Sequence, residues 1–267
     1  LRINVSVVLE GKVIVVIGGT SGIGLSGAVA LRAAGAHVLV VGRDDEHLAV
    51  ARQALGAESV LAGDATRPET ADQAVAAAVA AWANVDGLYH VAGGSGRRMG
   101  DGPLHELTDG GWDYTLRLNL TSQFYSNRAA VRQFLKQGGG GAVLNVASVL
   151  AEHPSPKYFA THAYAAAKAA VVGMTRSAAA YYAPQDVRFN VLAPGLVETP
   201  MSQRAVGDEA IASFVRSKQP LDGGRVGRPS DLDAAVVYLL SDQARFVTGQ
   251  VFAIDGGWSV TEGRVPS

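Results

Sequence analysis

Apolar positions fall in short unbroken runs separated by longer stretches with helical spacing, and the two alternate along almost the whole chain. The runs predict strands near Lys12 to Ile17, His37 to Val41, Glu58 to Leu61, Gly87 to Val91, Ala142 to Ala147, Val187 to Leu192 and Gln250 to Ile254. The intervening stretches predict helices near Gly22 to Ala34, Asp45 to Leu55, Glu69 to Ala81, Asp113 to Lys136, His162 to Tyr182 and Ser230 to Leu240. Strands without polar alternation are covered on both faces, and repeated βα units give right-handed crossovers in a parallel sheet. The expected fold is therefore α/β: a single-domain Rossmann fold with a doubly wound parallel sheet of about seven strands and helices on both faces.

Ligands of such sheets sit beyond the carboxyl ends of the strands. The residues that follow the apolar runs are Gly18, Gly42, Asp64, Ala92 with Gly93, Ser148, and Pro194 with Gly195, so these are candidates for one cleft. The first run leads into Gly18-Gly19-Thr20-Ser21-Gly22-Ile23-Gly24 and then a helix. Glycines let backbone approach a pyrophosphate, and a helix N-terminus favours negative charge. The spacing is G-x-x-x-G-x-G, and a tight turn without ligand remains the alternative at this point.

Tyr164 and Lys168 stand at i and i+4 in Tyr-Ala-Ala-Ala-Lys. On a helix they share a face, so the ammonium can lie beside the phenol and favour its ionised form. Taken alone the pair equally describes an ordinary half-exposed helix face.

Length and composition narrow the field. The 267 residues, 48% hydrophobic, suit one sizeable core. A formal net charge of −1 with both signs scattered leaves no basic footprint for nucleic acid and no polybasic membrane patch. No apolar stretch approaches a membrane span, and residues Leu1 to Glu10 show no signal-peptide pattern, so a small-molecule partner and a cytoplasmic location are expected. Cysteine is absent and the six histidines form no H-x-x-x-H pair, so no metal site is expected.

Taken in order, these motifs make the chain similar to the short-chain dehydrogenase/reductase family from about Leu9 to Trp258. The resemblance rests on Ile17 to Gly24, Gly63-Asp64-Ala65-Thr66, His90-Val91-Ala92-Gly93, Leu118-Asn119-Leu120, Asn145-Val146-Ala147-Ser148 and the Tyr164/Lys168 pair. It continues through Asn190 to Met201 and Val247 to Gly257. It implies a catalytic set of Asn119, Ser148, Tyr164 and Lys168. It also implies cofactor contacts from Gly18, Thr20, Ser21, Gly22, Ile23, Gly24, Gly42, Arg43, Asp64, Ala65, Ala92, Gly93, Tyr164, Lys168, Pro194, Gly195, Val197 and Thr199. The implied reaction is hydride transfer between nicotinamide and a ketone or secondary alcohol, with Tyr164 moving the proton. In the same scheme Lys168 binds the ribose, Ser148 bonds the substrate oxygen and Asn119 holds a water. A homotetramer and a substrate lid over residues 195–227 are implied as well.

Three departures from the family pattern stand out: Ile17 where the family has threonine, His90 and Val91 where it has asparagines, and a longer segment between Ser148 and Tyr164, with the extra residues in Ala151 to Thr161. Two other readings compete with carbonyl reduction. One is reduction of an enoyl thioester on the same fold; the other is dinucleotide sensing without turnover. An intact tyrosine–lysine pair counts against both. His153 and His162 read as exposed loop histidines rather than catalytic ones, while Arg97 and Arg98 read either as an anion site at the cleft rim or as a solvated basic turn. At the end of the second strand Gly42 stands where NAD-preferring enzymes place an acid, and Arg43 follows, so NADP is favoured over NAD. Asp44 is either the ribose-binding acid or a helix cap.

Overall fold

The computed structural model describes residues 8–262; the reading of the first residues, as far as it concerns 1–7, lies outside them. Seven strands form one parallel sheet in the order β3-β2-β1-β4-β5-β6-β7. They are β1 (Val13–Ile17), β2 (His37–Gly42), β3 (Val60–Ala62), β4 (Gly87–His90), β5 (Gly141–Val146), β6 (Val187–Pro194) and β7 (Val251–Ile254). All five residues of β1 and all four of β4 are buried, as the unbroken apolar runs require. The order reverses between β1 and β4, whose registers pair Ile14 with Gly87 and Ile17 with His90. A crevice opens at such a reversal.

Helices α1 (Gly22–Ala33), α2 (Asp45–Leu55) and α9 (Asp233–Leu240) cover one face of the sheet. On the other lie α3 (Pro68–Trp82), α5 (Ser122–Lys136) and α6 (His162–Tyr182). Each face is closed by apolar side chains: Leu31 and Val236 on the first, Phe134 and Ala74 on the second, all fully buried. Truncating a buried phenylalanine such as Phe134 to alanine costs about 3–5 kcal/mol, so either layer is indispensable.

Three elements differ from their sequence-based expectation. The helix expected from Asp113 starts at Asp109, because the Thr108 hydroxyl accepts the Gly111 N–H and caps it; it forms α4 (Asp109–Leu116). A π turn, Arg117–Thr121, then separates α4 from α5. The third strand starts late because Ala57–Ser59 is a 3-10 turn. Residues 195–227 contain helix α7 (Gln203–Val206) and a capped helix α8 (Glu209–Lys218), whose Asp208 carboxylate accepts the N–H groups of Ala210 and Ile211. No helix of the described residues is long and apolar enough to cross a membrane.

Candidate active site

The cleft at the strand reversal has a volume of about 430 Å³. It is built first by Gly18, which has φ +85°, a conformation that favours glycine. A Cβ there would stand 2.5 Å from the Ala92 nitrogen, so only glycine lets the end of β1 approach the loop after β4. Ile17 is buried in the core, and its backbone carbonyl accepts the N–H groups of Val91 and Ala92 at 2.8 and 2.9 Å. These two backbone bonds tie the end of β1 to the loop after β4 without help from the residue 17 side chain.

Ser21 precedes α1 in an extended conformation and makes no side-chain cap. The first-turn amides thus have no side-chain acceptor, and with the helix dipole they form an anion cradle facing the cleft. Gly22 and Ile23 of that turn line the cleft, as do Thr20 and Ser21; Gly24 does not. Instead, a Cβ on Gly24 would collide with the Gly18 carbonyl, so this glycine serves the turn itself. An uncapped helix N-terminus over a glycine turn fits the pyrophosphate of a dinucleotide.

At the far end of the cleft lie Gly42, Arg43, Asp64 and Ala65. The Thr20 side chain occupies the space a Cβ on Gly42 would need. Asp44 caps α2 by accepting the His47 N–H at 3.1 Å, which is the helix-cap reading of this residue. Asp64 stands 3.6 Å from Arg43 and accepts both the N–H and the hydroxyl of Thr66 at 2.9 Å. Burial works to raise its carboxyl, but the Thr66 bonds and the Arg43 charge outweigh it and hold the group below its ordinary value.

Ser148 follows β5, Tyr164 lies in the first turn of α6, and Lys168 one turn on; all three line the cleft with Ala92, Gly93, Pro194, Gly195, Val197 and Thr199. Lys168 is buried and donates to the Val146 carbonyl at 2.8 Å. Its nitrogen is 5.6 Å from the centre of the Tyr164 ring. Burial pushes the lysine down to about 8. It pushes the half-buried tyrosine up to about 12, with the Ser148 hydroxyl opposing. Spacing led to the expectation of a phenol favoured as its anion; burial works against that anion here, and the ammonium is directed at a carbonyl.

Asn119 sits in the π turn, fully buried, and does not line the cleft. Its amide oxygen accepts the Gly94 N–H at 3.0 Å, and its NH₂ donates to the carbonyls of Gly94 and Thr115. The side chain is therefore a strap on the loop after β4. Turns of this kind inside helices are frequent at functional sites.

Sequence reasoning missed several residues. Asp101 accepts the N–H groups of Ala163 and Tyr164, both at 3.1 Å, and so clamps the start of α6. Gln219 accepts the Leu196 N–H and donates to the Leu196 carbonyl, stitching the 195–227 segment to itself. Both pairings are distant in sequence and carry no local motif. Buried His90 makes hydrogen bonds to Ser126 and to the Ala92 carbonyl, where the family has asparagine amides.

A second cavity of about 130 Å³ shares Ser148 and Tyr164 with the cleft. Phe159, Met201 and Trp258 form apolar walls, and Arg97 and Arg204 reach its edge. The longer segment after Ser148 packs here: Tyr158 against Phe214 of α8 and Phe159 against Trp258. His153 and His162 are exposed and line neither cavity. Among the described residues no cluster of three His, Asp or Glu side chains could hold a metal ion.

A family model described as enoyl-(acyl carrier protein) reductase, which belongs to the short-chain dehydrogenase/reductases, matches residues 17–259. The chain belongs to the short-chain dehydrogenase/reductase family. It is 36% identical, over 94% of its length and 98% of the relative's, to a 2,5-dichloro-2,5-cyclohexadiene-1,4-diol dehydrogenase of Sphingobium indicum. It is 35% identical to a 2-keto-3-deoxy-L-fuconate dehydrogenase of Xanthomonas campestris, over 94% of this chain and 81% of that one. A short-chain type dehydrogenase/reductase from Mycobacterium ulcerans superposes with a TM-score of 0.85 at 33% identity, covering 96% of this chain and 92% of that one. As a short-chain dehydrogenase/reductase the protein is an NAD(P)-dependent oxidoreductase acting between alcohols and ketones, and neither the enoyl-thioester reading nor the sensor reading is favoured.

Proposed function

We propose that Tyr164 is the proton carrier of an NADP-preferring carbonyl and alcohol oxidoreductase. The observation that carries this reading is that the smaller cavity opens on Ser148 and Tyr164, where they face the cleft that fits a dinucleotide. When bound, the nicotinamide supplies or accepts the hydride. Gly18 to Ile23 would hold the pyrophosphate. Lys168 spends one of its three N–H groups on Val146, which leaves two for ribose hydroxyls. The Tyr164 phenol holds its proton at neutral pH, so it stands ready to donate to an oxyanion forming beside Ser148. Asn119 acts at one remove by fixing Gly94, and the segment 195–227 is the lid over the substrate.

Support for NADP comes from three side chains. Thr20 leaves no room for an acid at Gly42, and Asp44 is engaged as a helix cap. Arg43 is 58% exposed and paired with Asp64 only at 3.6 Å. An exposed pair of this kind is worth about 1 kcal/mol or less, so it gives way to a phosphate that guanidinium binds through two bonds. A homotetramer and a cytoplasmic location complete the reading. What supports the assembly is exposed apolar surface: Phe124 on α5, Tyr181 on α6 and fully exposed Phe246 before β7.

A panel of ketones and alcohols assayed with both cofactors tests the proposal. Tyr164→Phe is expected to lose nearly all turnover while still binding cofactor, and Arg43→Ala to lose efficiency with NADP alone. Retained turnover in the first variant, or a native preference for NAD, contradicts the corresponding part. Light scattering that gives a monomer removes the tetramer.

A further inference from the structure

Three loops meet at one backbone carbonyl beside the substrate cavity. Arg97, from the loop after β4, donates to the Tyr158 carbonyl at 3.0 Å, and Arg204 of the lid donates to the same oxygen at 3.5 Å. Both arginines line the cavity that Ser148 and Tyr164 share. Arg98 points to solvent. Among the described residues no carboxylate lies within ion-pair distance of Arg97 or Arg204. The nearest in charge, Asp101, has both oxygens engaged by the backbone of α6. Burial and the like charge of Arg204 push the Arg97 guanidinium down from its ordinary value, with Asp101 acting the other way.

Two guanidiniums gathered on one neutral oxygen repel each other, and a carbonyl satisfies only one or two of their ten N–H donors. Both guanidinium side chains line a cavity in which Phe159, Met201 and Trp258 are apolar walls and Ser95, Thr161 and Ser202 are uncharged polar ones. A site of this kind is complementary to an oxyanion at the end of a short apolar body. Arg97 and Arg204 line only this smaller cavity and not the cofactor cleft.

We propose that Arg97 and Arg204 form an anion-recognition site, so that the substrate is a ketone or secondary alcohol that also carries a carboxylate or phosphate. This rests on the reading of Ser148 and Tyr164 as the reacting end of the cavity. Arg97, Arg204 and the Tyr158 carbonyl are specificity residues, and binding the anion joins the lid to the two loops beneath it.

The test compares matched probes with the cofactor-loaded enzyme: acetoacetate and levulinate, each against its methyl ester, and dihydroxyacetone phosphate against dihydroxyacetone. The anionic member of a pair is expected to be favoured in kcat/KM by roughly tenfold to a hundredfold, the range of a charge-assisted contact, chiefly through KM. The preference shrinks as salt is added. Arg97→Gln and, at an exposed position that folding does not need, Arg204→Gln are each expected to lower the anion-to-neutral ratio at least several-fold, whereas Arg97→Lys restores part of it. The carboxylate and phosphate pairs distinguish the two kinds of anion. Equal efficiency for both members of every pair, or a ratio unmoved in both glutamine variants, overturns the proposal. If no probe turns over, the reading of Ser148 and Tyr164 as the reacting end of this cavity is at fault. Calorimetric titration of the same loaded enzyme then still decides: binding of the anions but not of the neutral forms upholds the anion site, and equal or absent binding overturns it.

Discussion

Replacing His90 with asparagine should flatten the loss of stability in acid. The ring is fully buried beneath the cofactor cleft. Its Nε2 lies 3.1 Å from the Ala92 carbonyl and its Nδ1 2.7 Å from the Ser126 hydroxyl, whose single proton also reaches the Gln123 carbonyl at 3.0 Å, so the neutral ring is held between polar partners with no carboxylate to stabilise a charge. Burial, helped by the charge of Lys168, pushes this histidine down to about 3. In the unfolded chain it titrates near ~6.5. Between those values the unfolded state binds the extra proton, so stability falls as pH drops through the window and is unaffected above it. At about pH 5 the cost is about 2 kcal/mol, taking ~1.36 kcal/mol per pH unit below the unfolded value. Urea unfolding of the native protein and of His90→Asn at about pH 7.5 and about pH 5 reads it, because the carboxylates contribute alike to both proteins. The native protein should lose about 2 kcal/mol more than the variant. Equal losses would show that His90 is charged when folded, and the assigned hydrogen bonds would be wrong.

Two further outcomes follow from the site. Asp101→Ala leaves two buried N–H groups of α6 without an acceptor, which should cost about 2–4 kcal/mol in urea unfolding and lower kcat by loosening Tyr164; unchanged stability and kcat would show the clamp to be idle. Lys168 is charged below about 8 and neutral above it, while Tyr164 keeps its proton, so kcat/KM for ketone reduction should fall as pH rises through about 8. Lys168→Arg stays charged and should move that fall upward, and a native profile without it would refute the assignment.

The fold was legible because a parallel sheet buries both faces of its strands, so β1 appears in sequence as an unbroken apolar run and β6 as a largely apolar one interrupted by Arg188 and Asn190. What was not legible depends on partners far along the chain. The π turn at Arg117–Thr121 follows helical spacing on either side and leaves no mark in composition. Likewise α8 lies in a segment whose apolar residues, Ile211 and Val215, find their partners in Val149 and Trp258. The local marks of α8, the Asp208 cap and the basic last turn at Arg216 and Lys218, are short, and what it packs on is not local.

The site divides along the same line. Gly18, Ser148, Tyr164 and Lys168 line one cleft; the glycine turn and the Tyr164/Lys168 spacing are local properties that the sequence displays, and Ser148 was named from its place after a strand and from the family resemblance. Helical spacing correctly brought Lys168 to the face of Tyr164, but it carried no information about burial, and burial moves the lysine down and the tyrosine up from their ordinary values. An ammonium 5.6 Å from a ring and bonded to a carbonyl does little for the phenol, while the surrounding protein withholds the water that a phenolate needs. For the proposed mechanism this implies a division of labour in which the tyrosine enters the reaction as an acid and the charge of the lysine sets the upper pH limit of activity, and the pH profiles of the native protein and of Lys168→Arg decide it.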